Sequence, residues 1–427
     1  MEPQHTIGDD APGKKVLMLT NIELGQSNVF LATAHALLHL NPHVKVHLAT
    51  FGGLEESVAS VSEHARKTTP RAQPIVYHRI QGMSMREGIQ DYIERNKIPS
   101  RAGYYFPESF SVPLNFSVTK RALRDSIPIF VPYTGSQLVE IVSSLISIIQ
   151  EVNADLVVVD ALMTAGLTAL EHLRVKYICL SPNTIKDFAA SAQPRGESFW
   201  KYPALFSGYS YPVPLHLVPL NIYFLLYMTY IFISDPDKKE TEQYLQDNLG
   251  LELRTPVDLL RNRPGDLKIV VGSLPELDFK GILPDHVLPC GPILRSAPPV
   301  SKLDPELGEW LAKGPTLYIN LGSMCQVDEQ QMTEMACAIR ILSDEFRKKK
   351  QSPNRPLQVL WKLKANRDVK VLEEGSKLRD AVGKEIEAGQ VRIVDWAVAE
   401  PIAILKTGHV VCSVHHGGAN SFNEAIV

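Results

Sequence analysis

Three short apolar runs near the N-terminus, Val16 to Thr20, Val44 to Ala49 and Ile75 to Ile80, alternate with two helical stretches. Val44, Val46 and Leu48 keep the two-residue period of a strand, whereas Val29, Phe30, Ala32, Leu37 and Leu38 recur at helical spacing. Ser27 is placed to cap that helix, and Leu54 to Lys67 forms the next one. A β-α-β-α-β order buries its strands best as a parallel sheet with helices on both faces. The rhythm resumes with a packed helix over Leu138 to Val152 and a strand over Asp155 to Val159 that ends at Asp160. A helix over Ala161 to Leu173 and a strand over Lys176 to Leu180 follow. Gly82 to Phe130 reads as loops and short helices, and Pro182 to Ser210 reads as loop.

A chain of 427 residues is too long for one core, and two domains are expected. Pro284, Pro289, Pro292, Pro298, Pro299 and Pro305 mark a linker over 275–315. Beyond it the β/α rhythm restarts, with strands at Thr316 to Leu321, Leu357 to Leu363, Val391 to Val394 and His409 to Val414 and a helix over Glu329 to Leu342. The expected organisation is an α/β domain over 14–274, the linker, and a second α/β domain over 316–427. A ligand cleft between them is the natural expectation.

Hydrophobic residues make up 44% and charged residues 21%, and the net charge is −3. That balance, without a Lys/Arg-rich run, argues against a nucleic-acid partner. Five widely spaced cysteines and no C-x-x-C suit a reducing compartment. Met1 to Lys15 carries no apolar leader, so a cytoplasmic chain is expected and the sequon at Asn115 stays unused. His216 to Ser234 has no formally charged residue and holds Tyr223, Phe224, Tyr227, Tyr230 and Phe232. Pro219 and Asn221 interrupt it, so it reads first as a buried or pocket-lining helix. Peripheral membrane contact through 216–234 is the lesser alternative, and a true span the least.

The segment richest in chemistry is the last. Trp396-Ala397, Leu405 and His409 lead to His416-Gly417-Gly418-Ala419-Asn420-Ser421 and Glu424. It reads as strand, Gly-rich turn and helix start. Gly417 and Gly418 let backbone N–H groups approach a ligand, and Asn420 and Ser421 stand where a helix N-terminus exposes donors to phosphate. Glu424 follows one turn later on the same helix. An ordinary glycine turn with a capping residue is the plain alternative. His409, Cys412, His415 and His416 fit no common zinc spacing, so no metal is expected. A P-loop, a Gly-x-Gly-x-x-Gly fingerprint and a Gly-x-Ser-x-Gly nucleophile turn are all absent.

This segment resembles the signature motif of the family 1 UDP-glycosyltransferases. The resemblance implies the two-domain GT-B fold, with two Rossmann-like domains facing across a cleft, and a UDP-sugar donor with no cofactor. It implies that Trp396, beside Ala397, stacks on uracil. His416, Gly418, Asn420 and Ser421 then hold the diphosphate, and Glu424 binds the ribose. Tyr318-Ile319-Asn320-Leu321-Gly322-Ser323 is similar to the family's first nucleotide-domain strand and turn, which gives Gly322 and Ser323 to the diphosphate. Gly291-Pro292-Ile293 and Leu357 to Lys362 match as well. Two extra residues separate Trp396 from His416, and Ala419 replaces a Trp usual in plant members.

The family's catalytic His corresponds to Gln26, in Gly25-Gln26-Ser27-Asn28, and an amide has no useful basicity. The family's orienting Asp corresponds to Asp160, which is expected to orient or itself to serve as base; a helix cap is its plain alternative. By resemblance the motif continues past Val427. The second sheet is therefore expected to be incomplete, with Val410, Val411 and Val414 uncovered and its domain marginally stable. The expected activity is inverting transfer of a hexose from a UDP-sugar to a hydroxyl of a lipophilic small molecule. A non-catalytic remnant that binds nucleotide, or another nucleotide-sugar enzyme such as an epimerase, stays open.

Overall fold

A computed structural model describes residues 13–100, 106–323, 325, 327–348, 355–364, 373 and 375–426. The N-terminal stretch read above for a leader lies, up to residue 12, outside the described residues. The described residues divide into two compact units: those up to Ile293, apart from Ser100, form the first, and those from Leu294, with Ser100, form the second.

Unit 1 is built on seven parallel strands: β1 (Lys15–Leu19), β2 (Lys45–Thr50), β3 (Val76–Arg79), β4 (Leu156–Asp160), β5 (Tyr177–Ser181), β6 (Ile269–Val271) and β7 (Val287–Pro289). Their order across the sheet is β3-β2-β1-β4-β5-β6-β7. Alternation along β1 divides the core in two. Leu17 and Leu19 pack with Leu138, Ile141 and Leu145 of the helix Gly135–Val152. Val16 and Met18 pack with Phe30, Leu31 and Leu38 of the helix Leu24–Leu40 on the opposite face.

Several expectations need correction. Ser27 does not cap its helix, which starts three residues earlier; the buried Ser27 hydroxyl donates to the Ile22 carbonyl instead. The 182–210 stretch is not plain loop, since it holds the helices Ile185–Ala189 and Glu197–Trp200. The 275–315 segment is largely built into the two units. Pro289 ends the edge strand β7, and Pro305 opens the helix Pro305–Leu311, both positions where a missing N–H costs nothing.

The apolar stretch forms the helix Val218–Ser234, but it is not buried. Only Asn221, Phe224 and Ile231 on it are, whereas Leu226, Tyr230 and Ile233 are more than half exposed. Asn221 is no interruption. Its amide donates to the Phe199 and Tyr202 carbonyls and accepts from Ala204 N–H, fastening the 199–204 segment to the helix.

Among the described residues unit 2 carries four parallel strands, β8 (Thr316–Asn320), β9 (Gln358–Lys362), β10 (Val391–Val394) and β11 (Val410–His415), in the order β10-β9-β8-β11. Leu317, Ile319, Val359 and Trp361 pack with Met332, Ile339 and Val382 on one face. Tyr318 and Leu360 pack with Trp310, Leu311 and Ile404 on the other. β11 is an edge strand, and Val411 and Val414 on it are exposed as expected, but Val410 is half-buried and packs against the Tyr318 cluster.

Candidate functional site

Both sheets reverse their winding once, between β1 and β4 in unit 1 and between β8 and β11 in unit 2. Beyond the C-terminal ends of two such strands the following segments diverge to opposite faces, and the crevice left is where open α/β sheets bind ligands. The expected site residues of unit 1 lie at the first reversal. Most of those of unit 2 lie at the second.

In unit 1, Asp160 ends β4 and is fully buried. Its Oδ2 accepts from the Asn21 amide across the reversal at 3.1 Å, and its Oδ1 accepts from Leu162 N–H at 2.9 Å. Burial pushes its carboxyl up to about 7; the hydrogen bonds from Leu162 and Asn21 oppose that rise, and the charge of Glu23 adds to it. Asp160 does not cap the next helix, which starts at Thr164 after Met163. Gln26 lies in the first turn of the helix Leu24–Leu40, and its side-chain oxygen is buried without a partner. Glu23 immediately precedes this helix. Its Oε1 accepts from Arg86 N–H at 2.9 Å, and its Oε2 is buried and unpartnered.

In unit 2, β8 runs into Leu321-Gly322-Ser323 and β11 into His416-Gly417-Gly418, with His415 in register with Asn320. The His416 ring lies between the two turns. A Cβ on Gly322 would stand 2.7 Å from its Cε1, and one on Gly418 would collide with the same ring. Gly322 (φ +87°) and Gly417 (φ +79°) also hold left-handed backbone that side chains rarely adopt. Burial, and then the charge of His415, lowers the His416 pKa, which favours the neutral ring. The helix Ala419–Ile426 starts just beyond and carries Asn420, Ser421 and Glu424. The Gly322 N–H is already given to the Asn320 side chain at 3.1 Å, and Lys364 donates to the Ser323 carbonyl at 3.1 Å.

Trp396 is 62% exposed, with the Lys362 ammonium 3.8 Å from its ring centroid. Ala397 packs into the core behind it. Glu424 is raised to about 7 by burial and then by the charge of Glu400, against Arg295 and Lys362. Arg295 pairs with Glu400 at 2.9 Å.

Glu23, Asn21 and Lys362 stand beside the expected site residues, and sequence reasoning did not single them out. Their signal was position: each stands at or just past the C-terminal end of a strand in a parallel sheet. Among the described residues no three His, Cys, Asp or Glu side chains gather as a metal site, and all five cysteines are free.

No family model matches the chain. A curated relative, glycosyltransferase sdnJ of Sordaria araneosa, is 31% identical over 418 residues, covering 96% of this chain and 77% of its own length. Solved structures share the fold at low identity. The UDP-glucosyltransferase of Polygonum tinctorium, in complex with 3,4-dichloroaniline, superposes with a TM-score of 0.53 at 16% identity, over 98% of this chain and 78% of its own. Medicago truncatula UGT71G1 complexed with UDP-glucose gives 0.54 at 12% identity, over 97% and 78%.

Proposed function

The chain belongs to the family 1 UDP-glycosyltransferases and has their GT-B fold, and from that premise we propose that it moves a hexose from a UDP-sugar to a hydroxyl of a lipophilic small molecule, with inversion. The observation that carries the donor half is the His416 ring set against Gly322 and Gly418 at the strand reversal of unit 2. It draws two glycine turns together beside a helix N-terminus, a suitable bed for a diphosphate. In this reading Ser323, His416, Gly418, Asn420 and Ser421 hold the phosphates. Gly322 shapes the turn rather than donating, because its N–H is spent on Asn320. Uracil stacks on Trp396, on the face away from Lys362, and Glu424 accepts from the ribose hydroxyls.

Unit 1 supplies the acceptor chemistry. Both Asp160 oxygens are engaged, which supports a positioning role: it holds Asn21, and through it the turn that leads to Glu23 and Gln26. Gln26 stands at the usual base position and contributes an amide oxygen only.

The exposed face of the helix Val218–Ser234 supports a peripheral contact with a lipid surface, where a lipophilic acceptor would concentrate. Exposed Phe116 and half-buried Lys120 adjoin it, with the Lys120 ammonium 5.0 Å from the Tyr227 ring centroid. Co-sedimentation with anionic vesicles, lost in Tyr230→Glu, is the expected result. Five free cysteines suit work in the cytoplasm.

Calorimetry with UDP and UDP-glucose, on this chain and on Glu424→Ala, tests the donor half. Binding that weakens in the variant supports it. A folded chain that binds neither nucleotide overturns it.

A further inference from the structure

The transfer reaction needs a group to take the acceptor's proton, and Gln26 has none to offer. Glu23 stands three residues earlier, the spacing that puts two side chains on the same side of a helix start. Its Oε1 is fixed by Arg86 N–H, while Oε2 is buried with no partner. A buried carboxylate oxygen left unpaired is costly, and a bound hydroxyl would satisfy it. The Gln26 side-chain oxygen is in the same condition. Two acceptor oxygens without donors, at the strand reversal of unit 1, suit a ligand that brings O–H groups.

We infer that Glu23 is the catalytic base of this enzyme, taking the acceptor's hydroxyl proton on Oε2. The proposal rests on the glycosyltransferase reading above. The acceptor O–H bond breaks toward Oε2, and the freed oxygen pair attacks the anomeric carbon of the donor. The bond from that carbon to the UDP oxygen breaks, and UDP leaves with the electron pair. Glu23 afterwards releases its proton to water. Asp160 acts as a positioning residue, through Asn21.

Burial raises the Glu23 carboxyl above the ordinary glutamate range, opposed by N–H groups of Glu23 itself and Arg86 and by the Arg86 charge. Glu87 adds to the rise. Asp160 and the buried phenol of Tyr133 also lie within its field. A raised carboxylate is a better proton acceptor near neutral pH.

The test is Glu23→Gln, which keeps an oxygen for Arg86 N–H but cannot take a proton. UDP-glucose is the donor, and the acceptors are phenol, which is neutral near pH 7, and 2,4-dinitrophenol, which is already ionised. Wild type should show an acidic limb in kcat/KM set by Glu23. The variant should lose on the order of 10²–10⁴-fold with phenol, together with that limb. It should lose far less with the ionised acceptor, and UDP affinity and the thermal melt should hold. Glu23→Asp should fall between. Equal losses with both acceptors, or none with either, overturn the assignment. Wild type that transfers to neither phenol nor water overturns the underlying reading, and this one with it.

Discussion

The two strand reversals share one topology and oppose each other in chemistry. In unit 1 the reversal between β1 and β4 is lined with acid and amide: Asn21, Glu23, Gln26 and a fully buried Asp160. In unit 2 the reversal between β8 and β11 is lined with glycine, imidazole and hydroxyl, and Lys362 stands at the end of the neighbouring strand β9. In the proposed reading the same backbone serves proton acceptance in one place and phosphate binding in the other. The strand order fixes where a ligand goes, and a handful of side chains past the strand ends fixes which ligand.

The comparison breaks most severely if Asp160 matters to the donor half. Asp160→Asn should cut turnover on the order of 10²-fold by loosening Asn21, with UDP affinity unchanged by calorimetry. The same variant carries a stability signature. The folded Asp160 carboxyl is raised from 3.8 to about 7, so the stability its proton brings is present at acid pH and is lost as pH rises through about 7. Melting of Asp160→Asn should depend less on pH across that window.

Next comes Gly322→Ala, which must displace the His416 ring and hold a left-handed backbone. About 1–3 kcal/mol of strain should weaken UDP binding by about tenfold or more while unit 1 keeps its own melt. Trp396→Ala removes the stacking surface and should cost UDP a similar or smaller factor, and cost a diphosphate lacking uracil almost nothing.

A smaller effect sharpens the contrast between the carboxylates. In the proposed reading Glu424, raised to about 7, accepts from a ribose rather than taking a proton. UDP affinity should rise a few-fold from about pH 6 to about pH 8 as it ionises, and that slope should vanish in Glu424→Gln. Smallest of all, Val411→Lys on the exposed edge strand should change stability by less than about 0.5 kcal/mol, yet reduce self-association seen by light scattering.

The strands were legible because their apolar runs are short and their period is two or continuous. Each of the three N-terminal runs lies within a residue or two of its strand. The Gly-rich turn after β11 was legible because Gly417 and Gly418 follow an apolar run and precede Asn420 and Ser421, which marks a turn and helix start whether or not a ligand binds there. Exposure of the helix Val218–Ser234 was not legible: an uncharged aromatic run has the composition of a core helix whether or not anything covers it. Asn221 looked like a break because its three hydrogen bonds go to residues about 20 positions away. Glu23 was passed over because an acidic residue before a helix is commonplace. Only the burial of one oxygen, with the other held by Arg86 N–H, distinguishes it.

The packing of His416 between two glycines has a consequence for how this sequence can drift. Its ring occupies the space where a side chain at Gly322 or Gly418 would have to grow. Enlarging either glycine first meets the ring, and shrinking the ring first opens a gap between the turns. The three positions are therefore sterically tied: a side chain added at either glycine requires the ring to move, and only a coordinated replacement keeps the turns closed.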